Sequence, residues 1–374
     1  MRNTQAAWSV SGGAGIPNET LCRQKTQLSN RKGPASGACA RLATVASTGS
    51  TGGACSLLAV ALFISVFFLL GGCATPQTDR IRATASARPQ PVELKEVPFF
   101  PQEEYQCGPA ALAIMLNWTN DFVTPDELVS QVYLPKRHGS LQLELIGAVR
   151  RQNRIPYVLR PELESVFAEV DSGNPVLVLQ NLGFWWYPDW HYAVVVGFDL
   201  PGDRMVLRSG REERHVVPIE VFERTWRRSH YWAMVVMPPD RLPFTAEEIP
   251  YLQSVAALER LSSWETTATA YATALTRWPK SLAARMGLGN SRYALGDVRG
   301  AQQAFRQATQ EHPDAAVAFN NLAQMLAIEN RWQDATAAAQ RAVELGGPQV
   351  GTFRETLKQI EAKREKQQEP LGPP

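Results

Sequence analysis

Apolar and polar positions divide the chain into three stretches with different periods. The first is an uncharged run at residues 57–70, Leu-Leu-Ala-Val-Ala-Leu-Phe-Ile-Ser-Val-Phe-Phe-Leu-Leu. A membrane span needs about 20 such residues, whereas the apolar core of an export signal needs fewer. The second stretch, from about 97 to 239, starts helical and ends in strands. Cys107-Gly108-Pro109 leads into an apolar run, Ala110 to Trp118, that predicts a mostly buried helix; Pro109 is tolerated in its first turn. Thr124-Pro125-Asp126-Glu127-Leu128 is a helix start, with Thr124 as cap, Pro125 at the first helical position and Glu127 able to reach back. Further helices are predicted over 141–152 and 162–170. After Gly173-Asn174-Pro175 the pattern changes. Runs rich in β-branched and aromatic residues over 176–180, 191–198, 204–208, 214–217 and 231–237 are bounded by turns and read as strands. Helices first and an antiparallel sheet afterwards define an α+β domain over residues 95–240.

The third stretch repeats. Pro279 and Pro313 are 34 residues apart, as are Leu288 and Leu322, Gly289 and Ala323, Ala301 and Ala335, and Ala308 and Ala342. One period earlier, Tyr271, Ala274 and Pro279 match Phe305, Ala308 and Pro313. This is the tetratricopeptide period, with small residues where paired helices cross and a proline at the repeat end. The all-α repeat domain is placed at 245–366, with units near 248–281, 282–315 and 316–349. The first unit is degenerate, with Ser254 and Val255 in the Leu-Gly slots. Residues 352–366 read as a polar capping helix, and 367–374 as a disordered tail. The concave face of such a superhelix commonly holds a peptide or protein partner; alternatively the repeats only pack on the first domain as a scaffold.

Composition narrows the classes. The net charge is +2 and the folded part has no dense basic run, so nothing points to nucleic acid. Cys22, Cys39, Cys55 and Cys73 all lie in the first fifth of the chain, and Cys107 stands apart. Leu70-Gly71-Gly72-Cys73 resembles a bacterial lipobox, which implies cleavage before Cys73, a lipid on its sulfur and a membrane partner through that lipid. The competing reading is an anchor helix with an incidental cysteine. Residues 1–72 would then be the signal. Its first 56 residues are rich in Gly, Ser and Thr, with Arg41 the nearest positive charge, and make an over-long leading region that suggests a start placed too far upstream. Residues 73–94 lack apolar periodicity and read as a lipidated flexible tether. Ala74 after the cysteine, rather than Asp, points to the periplasmic face of the outer membrane under the usual Gram-negative sorting rule.

With the leader removed, Cys107 is expected to be the only thiol in the folded part. A lone cysteine is either an inert core residue or a nucleophile. Gln102, Cys107-Gly108-Pro109-Ala110-Ala111, His191-Tyr192-Ala193-Val194-Val195-Val196-Gly197, and Phe222 with Trp226 resemble the bacteriocin-processing, C39-like branch of the papain-like cysteine peptidases, over residues 95–237. The resemblance implies a papain-like α+β cysteine peptidase domain with Cys107 as nucleophile, His191 as its partner and general acid, and Gln102 as oxyanion donor. It implies no metal and no cofactor. The chemistry suits these residue types. A thiol with a free pKa of about 8.5 ionises more readily at a helix N-terminus and beside an imidazolium. Losing one oxyanion donor typically costs about 10²–10³ in rate.

The third triad position departs from the family, which carries Asp or Asn at the end of the strand after the histidine strand. Counting back from Phe222 and Trp226 gives Ser209. Asp199 lies on the histidine strand itself, roughly 26 Å from His191 at about 3.3 Å per residue, and Asp203 lies beyond it. If Pro201-Gly202 centre a hairpin turn, Glu212 falls opposite His191 and Glu213 opposite Trp190. Ser209, Glu212 or an incomplete triad therefore remain open. Phe184-Trp185-Trp186-Tyr187 before His191 is either an apolar cluster pinning a loop or a wall of the substrate cleft. His138, His215, His230 and His312 have no metal-ligand spacing and read as surface or packing residues. Two functions follow: a lipid-anchored envelope peptidase whose repeats recruit a partner or substrate, or a pseudo-peptidase that binds peptides without cutting them.

Overall fold

The structure is a computed structural model that describes residues 75–84, 90–102, 106–261 and 263–368. The 57–70 run, Cys73 and the last six residues lie outside the described residues.

Five strands that follow Pro175, together with two that precede it, build one seven-stranded sheet. Its central path is β4 (Ile155–Val158), β9 (Ala233–Met237), β5 (Val176–Asn181), β6 (Trp190–Asp199), β7 (Arg204–Ser209) and β8 (Glu212–Pro218), and β1 (Val92–Glu93) adds to β6. Every pairing is antiparallel. The central strands β5, β6 and β9 read as nearly continuous apolar runs because both faces are covered, whereas edge strand β8 is largely exposed. Leu177, Leu179, Tyr192, Val194 and Val196 face one layer, made by α2 (Cys107–Trp118), α3 (Pro125–Val132) and α4 (Gln142–Arg151). Val176, Val178, Ala193, Val195 and Leu207 face the other, made by α5 (Leu163–Asp171) and α6 (Ile219–Arg227). A small hairpin of β2 (Tyr133–Leu134) and β3 (Gly139–Ser140) lies between α3 and α4. Helix α3 starts as its sequence predicts: Thr124 Oγ1 accepts from the Glu127 amide, and the Glu127 carboxylate accepts from the Thr124 amide at 2.7 Å.

The expected flexible tether at 73–94 is corrected in its described parts. Residues Pro76–Thr84 form a helix, α1, docked on the sheet domain. Only Ile81 joins the core; polar bonds do the rest. The buried Glu223 carboxylate accepts from the Gln77 amide (3.2 Å), the Thr78 amide (2.7 Å) and the Thr78 hydroxyl (2.6 Å). The Gln77 side chain donates to the Pro161 carbonyl and accepts from the Leu163 amide. Arg82 pairs with Asp203 at 2.6 Å. Apolar periodicity gives no sign of such a helix, because a carboxylate rather than an apolar stripe holds it.

The repeat domain follows as α7 (Glu248–Glu259), α8 (Trp264–Arg277), α9 (Leu282–Ala294), α10 (Val298–Glu311), α11 (Ala316–Ile328), α12 (Trp332–Leu345) and α13 (Val350–Gln368). Helices pair within each period, and α13 extends two residues beyond the expected cap, into the stretch read as tail. Glycine is required at the crossings. A Cβ on Gly287 would stand 2.4 Å from the Tyr271 ring, and one on Gly289 would stand 2.4 Å from the Phe305 ring. The two domains share a core, since Tyr251, Val255 and Leu258 of α7 belong to the same cluster as Ile155, Tyr157 and Val235. Buried Glu169 clamps the junction: it accepts from the Phe244 amide (3.2 Å), the Thr245 amide (2.8 Å) and the Thr245 hydroxyl (2.6 Å).

Candidate active site

Cys107 is the first residue of α2 and is fully buried. The cap residue Gln106 makes no side-chain bond to the first turn, which leaves first-turn amides at Cys107 without a side-chain acceptor. Gly108 is obligatory beside it. A Cβ there would lie 2.3 Å from Ser140 Oγ, so β3 presses directly on the helix start. Cys107 is the only cysteine among the described residues; the other four lie outside them.

Gln102 is buried at the end of the sheet that also carries His191. Its amide donates to the Gly210 carbonyl at 2.9 Å, and its Nε2 lies 3.4 Å from the Tyr192 carbonyl. Its Oε1 is buried without a hydrogen-bond partner. His191 is buried near the start of β6, and its Nε2 lies 2.9 Å from Ser209 Oγ. Burial, and secondarily the charge of His215, push its pKa down to about 4. The imidazole is therefore neutral at neutral pH. A hydroxyl can hold its tautomer but offers no negative charge to an imidazolium.

Glu212 is not opposite His191, which corrects the hairpin extrapolation. Asp199↔Arg204, Phe198↔Met205 and Gly197↔Val206 keep the register that a turn at Pro201-Gly202 predicts. A bulge between Val195 and Gly197 then shifts it, and β7 ends at Ser209 because Gly210, at φ +60°, reverses the chain. Glu212 consequently pairs across from Ser209, and its carboxylate meets His215 Nδ1 at 2.9 Å. Glu213 follows it on β8, also away from Trp190. Asp199 and Asp203 lie at the far end of β6, the latter held by Arg82.

The structure thus gathers Gln102, His191 and Ser209-Gly210 at one end of the sheet. No hydrogen bond joins Cys107 to His191 among the described residues, and Nε2 is the ring nitrogen bound to Ser209. Side-chain alternation accounts for this. Tyr192 and Val194 face the α2 layer, whereas His191 pairs across from Gln180, whose amide donates to Thr225 of α6. Beside Ser209 lies a cavity of about 130 Å³ walled by Gln180, Leu207, His215, Phe222 and Thr225. Phe222 stacks on Trp226 in the core at 5.5 Å.

Arg208 is a positioning residue that the sequence reading missed. Its buried guanidinium donates to the carbonyls of Lys95, Val97 and Glu213, which ties the segment leading to Gln102 onto β7 and β8. An arginine directly after the apolar Met205-Val206-Leu207 was the available signal. In the aromatic segment Trp186 stacks on Phe184 at 4.9 Å and meets Trp185 edge-on at 5.5 Å. Phe184, Trp185, Trp186 and Tyr187 are all exposed, Trp185 at 83%. The turn is nonetheless built: Phe184 and Tyr187 exchange backbone bonds, Asn181 accepts from the Gly183 and Asp189 amides, and Arg228 donates to the carbonyls of Asn181 and Gly183. Among the described residues no group of three His, Cys, Asp or Glu side chains could hold a metal ion, and no helix is long and apolar enough to cross a membrane.

Residues 94–234 match the model of the Peptidase_C39 like family, and residues 287–349 match that of the tetratricopeptide repeat. The chain therefore carries a C39-like peptidase domain followed by tetratricopeptide repeats. No curated protein matches it. Solved structures that resemble it include a C39-like peptidase from Bacillus anthracis, at 17% identity over 40% of this chain and 97% of that one, with a TM-score of 0.36. The peptidase domain of Streptococcus ComA, a bifunctional ABC transporter involved in quorum sensing, is 18% identical over 38% of this chain and 99% of its own, with a TM-score of 0.33. The Yersinia enterocolitica type III secretion chaperone SycD, in complex with a peptide of the translocator YopD, is 15% identical over 30% and 91%, with a TM-score of 0.29.

Proposed function

We propose that this protein is a cysteine peptidase of the cell envelope, anchored through lipid on Cys73 at the periplasmic face of the outer membrane, with its repeats holding a protein substrate or partner. The observation that carries the enzymatic part is the 2.9 Å bond from His191 to Ser209 at the sheet end that also holds Gln102. In this reading Cys107 gives its proton to His191 Nδ1, the ring nitrogen that Ser209 leaves open, and attacks the scissile carbonyl. The Cys107 amide and Gln102 Nε2 receive the oxyanion. Collapse expels the amine with the proton from His191, and water then hydrolyses the thioester. The exposed aromatic turn, running directly into Trp190 and His191, forms a wall for an extended apolar peptide segment.

A second reading, a peptide-binding pseudo-peptidase, is favoured by the depressed pKa of His191 and the uncharged Ser209. Alkylation of the reduced protein by iodoacetamide at pH 6.5 separates the two. The peptidase reading expects Cys107 to react much faster than a free thiol and His191→Ala to slow it; equal rates in both proteins leave Cys107 an inert sulfur. The anchor is tested by the mass of the mature N-terminus: a diacylated or triacylated Cys73 supports it, and an unmodified one removes it.

A further inference from the structure

Away from Cys107 and His191, a cavity of about 620 Å³ opens where the end of α4 meets the start of α8. Arg150 and Arg151 line the peptidase side; Ser263, Trp264 and Glu265 line the repeat side, and Leu295 closes one flank. Arg151 is committed elsewhere, with its guanidinium donating to the side chain and carbonyl of Gln131. Arg150 is not. Its Nε is buried without a hydrogen-bond partner. Burial, and then repulsion from Arg260, pull its pKa below the usual arginine range. Among the described residues no ion pair holds the Arg150 guanidinium, and Arg260 adds like charge nearby. The cap residue of α8, Ser263, makes no side-chain bond to the first turn, and Trp264, Glu265 and Thr266 of that turn line the same cavity. The only carboxylate in the lining is Glu265.

Arg150 is half-buried, and a guanidinium nitrogen shut off from water without a partner is costly; the cost is relieved by a negative group that accepts its forked donors. We propose that this inter-domain cavity binds a compact anion, a carboxylate or a phosphate, with Arg150 as the principal contact and the amides at the start of α8 completing the cradle. The ligand would join α4 of the peptidase domain to the first repeat. A peptide C-terminus and free phosphate share this chemistry, so both belong in the experiment.

The test is thermal unfolding of the full protein, titrated at constant ionic strength with inorganic phosphate, with N-acetyl-dialanine, and with the amide of that dipeptide. A saturable rise in Tm with phosphate or the free acid, and none with the amide, is expected. A response to the free acid identifies a peptide C-terminus; a response to phosphate alone identifies a phosphate source. Arg150→Met should raise the midpoint concentration about 10-fold or more while leaving the unliganded Tm unchanged or higher, because an unpaired, half-buried charge is gone. Glu265→Gln should lower the midpoint several-fold by removing the opposing carboxylate. No saturable rise with either acid, or equal midpoints in wild type and Arg150→Met, overturns the proposal. Should Arg150→Met fail to fold, the Glu265→Gln midpoint decides: a fall supports the site, and no change overturns it.

Discussion

The sheet domain and the repeat stack are both well packed, but their contacts differ in range. In the sheet, Ile155 pairs with Met237 and Val92 with Phe198, so each strand depends on chain far away. In the repeats, Gly289 meets Phe305 and Gly287 meets Tyr271, each within one turn of the superhelix. A defect in the first region spreads through the whole domain, whereas a defect in the second reaches only neighbouring units. The seam between them obeys neither rule: Glu169 holds residues 244 and 245 through a buried carboxylate, and α7 shares the core of the sheet.

The sharpest way to break this contrast is at the seam. Glu169→Ala leaves the amides of Phe244 and Thr245 and the side chain of Asn174 without their acceptor. A loss of about 3 to 4 kcal/mol is expected, measured by denaturant unfolding, with limited proteolysis appearing at the junction. An unchanged unfolding midpoint would mean that the shared core alone couples the domains. Next comes Gly289→Leu, which drives a side chain into the Phe305 ring and should cost about 2 to 3 kcal/mol. Hydrogen exchange should show its effect confined to α9–α12; loss of protection in β5 and β6 would erase the difference in range.

The smallest effect sharpens the contrast at the sheet end. His191 has a folded pKa of about 4, below its ordinary 6.5. The unfolded chain therefore binds the proton first, and stability present above pH 6.5 is lost as pH falls toward 4. Between pH 7 and pH 5 the loss should be about 2 kcal/mol. Ser209→Asp places a carboxylate on Nε2, raises the His191 pKa and should flatten this slope while preserving or raising hydrolysis. An equally steep slope in the variant would assign the acid lability to another group.

Much of this was legible in the residues. The 34-residue period marked the crossing at Gly289 and Phe305 but not the one at Gly287, and the capping pattern at Thr124 fixed the start of α3. Ser209 could be placed by counting from Phe222 and Trp226, since that count does not depend on strand register. Glu212 could not, because a bulge at Val195/Gly197 and the reversal at Gly210 leave no apolar signature. Helix α6 escaped because buried Glu223 interrupts its stripe of Ile219, Phe222 and Trp226. The same carboxylate explains why α1 was read as tether: its helix is held by an acceptor supplied 145 residues later. Polar clamps between distant segments carry no periodicity, so a sequence pattern does not announce them.

The repeat stack has one fused end and one closed end. At the first, α7 is built into the core of the sheet; at the other, Leu357 and Ile360 of α13 cover the last pair. An additional unit entering ahead of α13 carries that helix outward and leaves the sheet untouched. Duplication can lengthen the surface that grips a partner without disturbing the residues around His191. What the protein holds and what it does to it can diverge on separate evolutionary clocks.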